Sequence, residues 1–129
     1  MLVVDASVLV TALADDGADG DRVRARLRGE ELAAPELVDL EVLSVLRRAV
    51  QRGALDDRRA LLALADLIDL PMYRARHTPL AAAVWELRDD VTSYDAAYVA
   101  LAAVLECPLL TGDRRLARAV GSRCDVEVL

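Results

Sequence analysis

An α/β domain with a parallel sheet covered by helices on both faces is what this sequence predicts. Two observations carry the prediction. Short apolar runs alternate with stretches of helical spacing along the whole chain. The 129 residues, 55% of them hydrophobic, suit one domain with a real core. No internal repeat, linker or low-complexity segment interrupts residues 1–129.

The elements follow in order. LVVD (2–5) is short, apolar and β-branched, which predicts a strand. ASVLVTALAD (6–15) has apolar spacing near 3.6 and predicts a helix. DDGADGD (15–21) reads as a turn, and RVRARLRG (22–29) as a basic helix closed by Gly29. ELAA (31–34) predicts a second strand. Pro35 suits a helix start, and ELVDLEVLSVLRRAVQR carries that helix to Gly53, a C-cap glycine. DDRRALLALADLIDL (56–70) predicts another helix and MYRAR (72–76) a third strand. TPLAAAVWELRDD (78–90) and SYDAAYVALAAVLE (93–106) predict two helices, the second capped by Ser93 or Thr92. PLLTG (108–112) predicts a fourth strand, DRRLARAV a short helix, and DVEVL (125–129) a fifth strand.

Composition excludes several classes. No apolar run reaches the ~18 residues of a membrane span. MLVVDASVLV has no basic n-region and carries an Asp, so it does not read as a secretory leader. A cytoplasmic protein is the expectation. Cys107 and Cys124 lack CxxC spacing and His77 is the only histidine, which argues against a zinc site. The formal charge of −6 argues against bulk electrostatic gripping of nucleic acid. It leaves room for a nuclease whose positive charge comes from a bound divalent metal. All 16 basic residues are arginine, which codon usage in a GC-rich genome explains and which removes any mechanism that needs lysine.

Four acids stand in apolar surroundings. Asp5 ends the first strand, and Glu41 lies inside the helix after the second. Asp95 is in the first turn of the helix before the fourth strand, and Asp113 follows that strand in LLTGDRRLA. Each has an ordinary explanation: a helix cap for Asp5 or Asp113, a favourable dipole position for Asp95, an arginine partner for Glu41. Together they have another. In a parallel sheet, ligand sites form outside the carboxyl ends of the strands, and all four acids fall at that end. Like charges at close range repel unless a cation lies between them. No lysine is available, and no arginine neighbours Asp5 or Asp95 in sequence. A hard divalent cation, Mg2+ or Mn2+, is the simplest counter-charge for an all-oxygen set. One or two such ions activate water and orient a phosphodiester without a nucleophilic side chain.

At these residues the sequence resembles a known family. MLVVDASVLV, PELVDLEVLSVLRRAVQRG, TSYDAAYVALA and PLLTGDRRLARA resemble the successive motifs of PIN-domain nucleases, in particular the VapC-type toxins of type II toxin–antitoxin pairs. The likeness covers nearly the whole chain, and SYDAAYVALA followed by LLTGDRRLA is its most specific part. It implies a three-layer α/β/α sandwich with sheet order 3-2-1-4-5 and a Mg2+- or Mn2+-dependent endoribonuclease acting on RNA. It implies metal ligation by Asp5, Asp95 and Asp113, with Glu41 orienting or deprotonating the attacking water. It implies supporting hydrogen bonds from Ser7 and Thr111. It also implies a small antitoxin that wraps the toxin, and a homodimer. Two departures stand out. Ser44 occupies a place where many relatives carry Asn, on the same helical face as Glu41. Arg114 and Arg115 follow Asp113 where some relatives carry a further acid, which removes a ligand for a second metal.

Other residues have weaker claims. Arg48, two turns beyond Glu41, and Arg114 and Arg115 are candidate contacts for phosphate or for the antitoxin; a solvated role is the alternative for Arg48. Arg22, Arg24, Arg26 and Arg28 read as a solvated helix face. His77 reads as a surface or capping residue, and Trp85, Tyr94 and Tyr98 as packing rather than base-stacking residues. Cys107 and Cys124 precede neighbouring strands at the same end of the sheet, which brings a disulfide within reach; free thiols are the expectation in a reducing compartment. Three other functions compete with the toxin: a housekeeping RNA-processing nuclease of the same fold, a catalytically inactive binding scaffold, and a phosphoacceptor signalling domain. The last needs a lysine that this chain lacks.

Overall fold

The computed structural model describes residues 1–129. Its elements run β1 (Leu2–Val4), α1 (Ala6–Ala14), α2 (Ala18–Leu27), β2 (Leu32–Pro35), α3 (Leu37–Gln51) and α4 (Asp57–Asp69). They continue with β3 (Met72–Ala75), a 3-10 turn (Thr78–Leu80), α5 (Ala81–Glu86), α6 (Ser93–Val104), β4 (Leu109–Thr111), α7 (Arg114–Val120) and β5 (Val126–Val128). All five strands are parallel, in the order β3-β2-β1-β4-β5. The central strand β1 pairs Val3 with Ala33 on one side and with Leu109 on the other.

Helices cover both faces. Parallel crossovers are right-handed, so the connections leading from β1 toward β3 lie on one face and those leading back toward β5 on the other. The contacts agree: α1 packs on α2, α3 and α4, while α5 packs on α6. Buried Val3, Val4, Leu109 and Leu110 form the middle of the core. Residues Ala96 to Ala102 of α6 are all buried, as expected of a helix apolar nearly all round. Its alanines let it lie close against β1 and β2. No helix is long and apolar enough to cross a membrane.

Three boundaries differ from the sequence expectation. α2 begins at Ala18, inside the stretch read as a turn. Asp19 and Asp21 there complement the positive end of the helix instead of breaking it, and Arg24 and Arg26 sit in the last turn. Gly20 allows α2 to cross α1 closely, since a Cβ on it would lie 1.8 Å from the Asp15 carbonyl oxygen. Pro35 ends β2 rather than starting α3. The β1–β2 register stops at Ala33, so the proline lies beyond that ladder. Residues 78–90 form a 3-10 turn and the six-residue α5, not one long helix.

The arginines of α2 are more than a solvated face. Arg24 donates to the Ala12 and Asp15 carbonyls at 2.9 and 2.8 Å, fastening α2 to the end of α1. Arg26 makes a two-pronged pair with Glu127 of β5, both bonds 2.8 Å. His77 does cap a helix, but a distant one: its Nε2 accepts the Leu37 N–H at 3.1 Å, where α3 has no side-chain cap of its own. Cys107 and Cys124 are free thiols, each two positions ahead of the Leu109–Val126 register pair.

Candidate active site

The carboxyl ends of β1 and β4 open into a cleft of about 720 Å3. Asp5, Glu41, Asp95 and Asp113 all line it, with Ser7, Ser44, Arg48, Tyr94 and Tyr98. The topology explains the convergence. Asp5 follows β1 directly and Asp113 follows β4 by two residues. α3 and α6 both start at this end of the sheet, so Glu41 and Asp95 in their early turns face the same space. An Arg74–Asp39 pair at 2.8 Å fastens α3 to β3 just before Glu41.

Asp5 is the most constrained of the four. Its Oδ1 accepts the Ser7 hydroxyl at 2.6 Å and the Val8 N–H at 3.1 Å. Its Oδ2 accepts the hydroxyl of fully buried Thr111. Both hydroxyls are themselves held, Ser7 Oγ by the Gly112 N–H at 3.1 Å and Thr111 Oγ1 by the Asp113 N–H at 3.0 Å. One network thus stitches β1 to β4 beneath the cleft. Three accepted bonds leave Asp5 about one of its roughly four lone-pair positions, with the carboxylate plane fixed.

The Val8 bond makes Asp5 the N-cap of α1. Asp113 likewise caps α7 through the Arg115 and Leu116 N–H groups at 2.8 and 3.3 Å. Both residues therefore cap a helix and line the cleft at once. At Asp113 the cap bonds all fall on Oδ1 and leave Oδ2 unpartnered, whereas Asp5 caps through Oδ1, gives Oδ2 to Thr111 and keeps about one lone-pair position.

Charge accumulates without compensation. Asp5, Glu41 and Asp95 make no salt bridge, and Asp113 meets only Arg115, at 3.7 Å. Burial first, then the charges of Asp113 and Asp5, hold the Asp95 carboxyl above its ordinary range, against the Thr92 hydroxyl and Arg115. Burial also raises Glu41, with help from Asp95 and Asp5. The opposing influence on Glu41 is Tyr98, whose hydroxyl donates to Oε1 at 2.6 Å. Burial and the Glu41 charge push the Tyr98 phenol far up, so it stays a donor.

Tyr98 lines the cleft and bonds Glu41, a contact that packing arguments missed. It is 2% exposed and does pack in the core, but only its ring does so. A buried phenol needs a partner, and that rule alone points to a polar group in the cleft. Gly112 was also missed; a Cβ there would lie 3.0 Å from Ser7 Oγ. Ser44 and Arg48 line the cleft as expected, whereas Arg114 does not. Arg114 lies on the exposed side of α7, and Arg115 lines a neighbouring groove.

A parallel 3-2-1-4-5 sheet with an acidic cleft between its central strands defines the PIN class of domain, and the PIN domain model matches residues 2–121. The chain belongs to the PIN domain family, in its VapC ribonuclease branch. It is 45% identical over 128 residues to Ribonuclease VapC1 of Mycobacterium tuberculosis, spanning 98% of this chain and 96% of that protein. In fold it is similar to PAE2754 of Pyrobaculum aerophilum, with a TM-score of 0.74, 24% identity, and 98% and 83% of the two chains covered. A second structural likeness is to VapBC2 of Rickettsia felis bound to a DNA fragment from their promoter. There the TM-score is 0.69 and the identity 12%, with 99% and 98% of the chains covered.

Proposed function

We propose that residues 1–129 form one nuclease domain, the toxin of a type II toxin–antitoxin pair, which hydrolyses RNA phosphodiester bonds in the cytoplasm. The observation that carries this reading is the cleft itself: four carboxylates, two raised by burial and mutual repulsion, with no tightly paired arginine. The relation to a named ribonuclease over 98% of the chain supports it. A small antitoxin is the expected partner, supported by the fold shared with a VapBC complex, and a homodimer is the expected assembly.

The donor set fits Mg2+ or Mn2+. It is all oxygen, it is short of positive charge, and Asp5 is held rigidly by its neighbours. No three Asp, Glu, His or Cys side chains form a ready-made cage. Asp5, Asp95 and Asp113 would therefore hold an ion partly through water, a common habit of Mg2+. Bound there, the ion would supply charge neutralisation, an acidified water and a counter-charge for the departing oxygen. The chain's own residues supply the rest. Ser7 and Thr111 fix Asp5. Tyr98 fixes Glu41 through Oε1, leaving Oε2 to orient a water and accept its proton. The water oxygen bonds to phosphorus, the opposite phosphorus–oxygen bond breaks, and the leaving oxygen takes a proton from solvent.

The test is to express the chain and its Asp5→Asn variant and map newly formed RNA ends in each. New ends with the native chain alone are expected, together with growth arrest that co-expression of the antitoxin relieves. The same ends from Asp5→Asn would overturn the assignment.

A further inference from the structure

A second groove, of about 570 Å3, lies beside the cleft. The two share Asp95 and Asp113, which therefore form the wall between them. The far side is lined by Arg88, Thr92 and Arg115, together with Asp89 and Asp90. We propose that this groove is the continuation of the substrate path: the RNA strand crosses the Asp95–Asp113 wall, and Arg88 and Arg115 hold the phosphate beyond the cleaved bond. The inference rests on the nuclease reading and extends it.

Three features support a phosphate site. First, a polynucleotide cut internally must leave the reacting centre on both sides, and this groove adjoins the metal-binding acids directly. Second, both arginines are available. The Arg115 side chain is 90% exposed, and its contact with Asp113 is a loose 3.7 Å. Arg88 is pre-positioned, its guanidinium 4.9 Å from the centre of the Trp85 ring and bonded to the Trp85 carbonyl at 3.0 Å. Stacking and that single bond leave other N–H groups free for a planar phosphate contact. Third, the groove's acids are partly neutralised. Arg123 bonds Asp90 at 2.6 Å, and an ion on Asp95 and Asp113 would cancel their repulsion of RNA. Arg114 lies outside this path, so of the two adjacent arginines only Arg115 contributes.

The experiment measures binding of a fluorescein-labelled 12-nucleotide single-stranded RNA of mixed sequence by anisotropy in Mg2+. The background is Glu41→Gln, which lacks the proton acceptor and keeps the three metal-holding acids. Arg88→Ala and Arg115→Ala are each added to it, with Arg58→Ala on α4 as the control for lost charge. The expected result is about a three- to tenfold rise in Kd for each groove variant, with the salt slope reduced by about 0.7 per arginine. Arg58→Ala should leave both nearly unchanged. A Kd within twofold for both groove variants, or an equal loss with Arg58→Ala, would overturn the groove while leaving the nuclease reading standing. Absence of binding in the Glu41→Gln background, with no cleavage by the native chain, would overturn both.

Discussion

Replacing Thr111 by Val tests the hydrogen-bond network under the cleft. The two side chains have nearly the same shape, and Thr111 is fully buried at the end of β4, so packing hardly changes. Two bonds are lost. The hydroxyl no longer donates to the Asp5 carboxylate, which costs about 1.5–3 kcal/mol for a bond to a charged group. The Asp113 N–H, which met that hydroxyl at 3.0 Å, loses its acceptor at a further cost of about 1–3 kcal/mol. Together these amount to about 2.5–6 kcal/mol, a large share of a domain's ~5–15 kcal/mol. Thr111→Ser is the comparison. It keeps the hydroxyl and deletes one methyl, at about 1 kcal/mol. Urea unfolding of the metal-free protein, followed by far-UV circular dichroism, should place the midpoints in the order Thr, Ser, Val, with unchanged slopes. A Val midpoint at or above that of Ser would refute the reasoning, because cavity size alone would then decide the order.

Three further outcomes follow from the site and its supports. Tyr98→Phe should lower kcat about 10- to 100-fold, from the loss of one hydrogen bond to a charged group, and leave Mg2+-dependent stabilisation intact. In the Glu41→Gln background it should cost almost nothing more, and an undiminished loss there would contradict a role through Glu41. The raised Asp95 carboxyl makes the folded chain bind protons more tightly than the unfolded one. Its contribution therefore falls as pH rises from the ordinary Asp range through the raised value. Unfolding curves over that window should show Asp95→Asn gaining on the native chain as pH rises, and a constant difference would count against it. Gly20→Ala should lower the unfolding free energy by about 1–3 kcal/mol through overpacking, despite alanine's better helix propensity, and so lower the urea midpoint; a higher midpoint would show that α1 and α2 can separate freely.

Strand and helix identities were legible where apolar period and end signals agreed. Asp56 and Thr92 begin, and Gly53 follows, long periodic segments, and the three helices they mark, α3, α4 and α6, lie within a residue or two of expectation. The start of α2 was obscured because Asp and Gly mark turns and first helical turns alike. Pro35 fits a helix start by local rule, and only the register with β1 and β3 shows it to be a strand end. The four acids were legible because a charge beside a buried strand is costly and therefore conspicuous. Tyr98 and Arg88 were not. An aromatic in a run of alanines reads as core, and its hydroxyl partner lies 57 residues away. Arg88 gains meaning only from its stacking on Trp85 and its place in the second groove.

The double service of Asp5 bears on how activity is inferred across relatives of this chain. Because the same carboxylate starts α1 and joins β1 to β4, a descendant that ceased to cut RNA would still lose stability on exchanging it for alanine. Drift would remove it slowly, and its presence is weak testimony of catalysis. Glu41 caps no helix, and ionising it in a buried site works against folding. Beyond accepting the Tyr98 hydroxyl it holds no elements together, so it has less reason than Asp5 to persist once the chemistry is gone. A sequence that keeps the aspartate and has lost the glutamate is the expected signature of a retired enzyme.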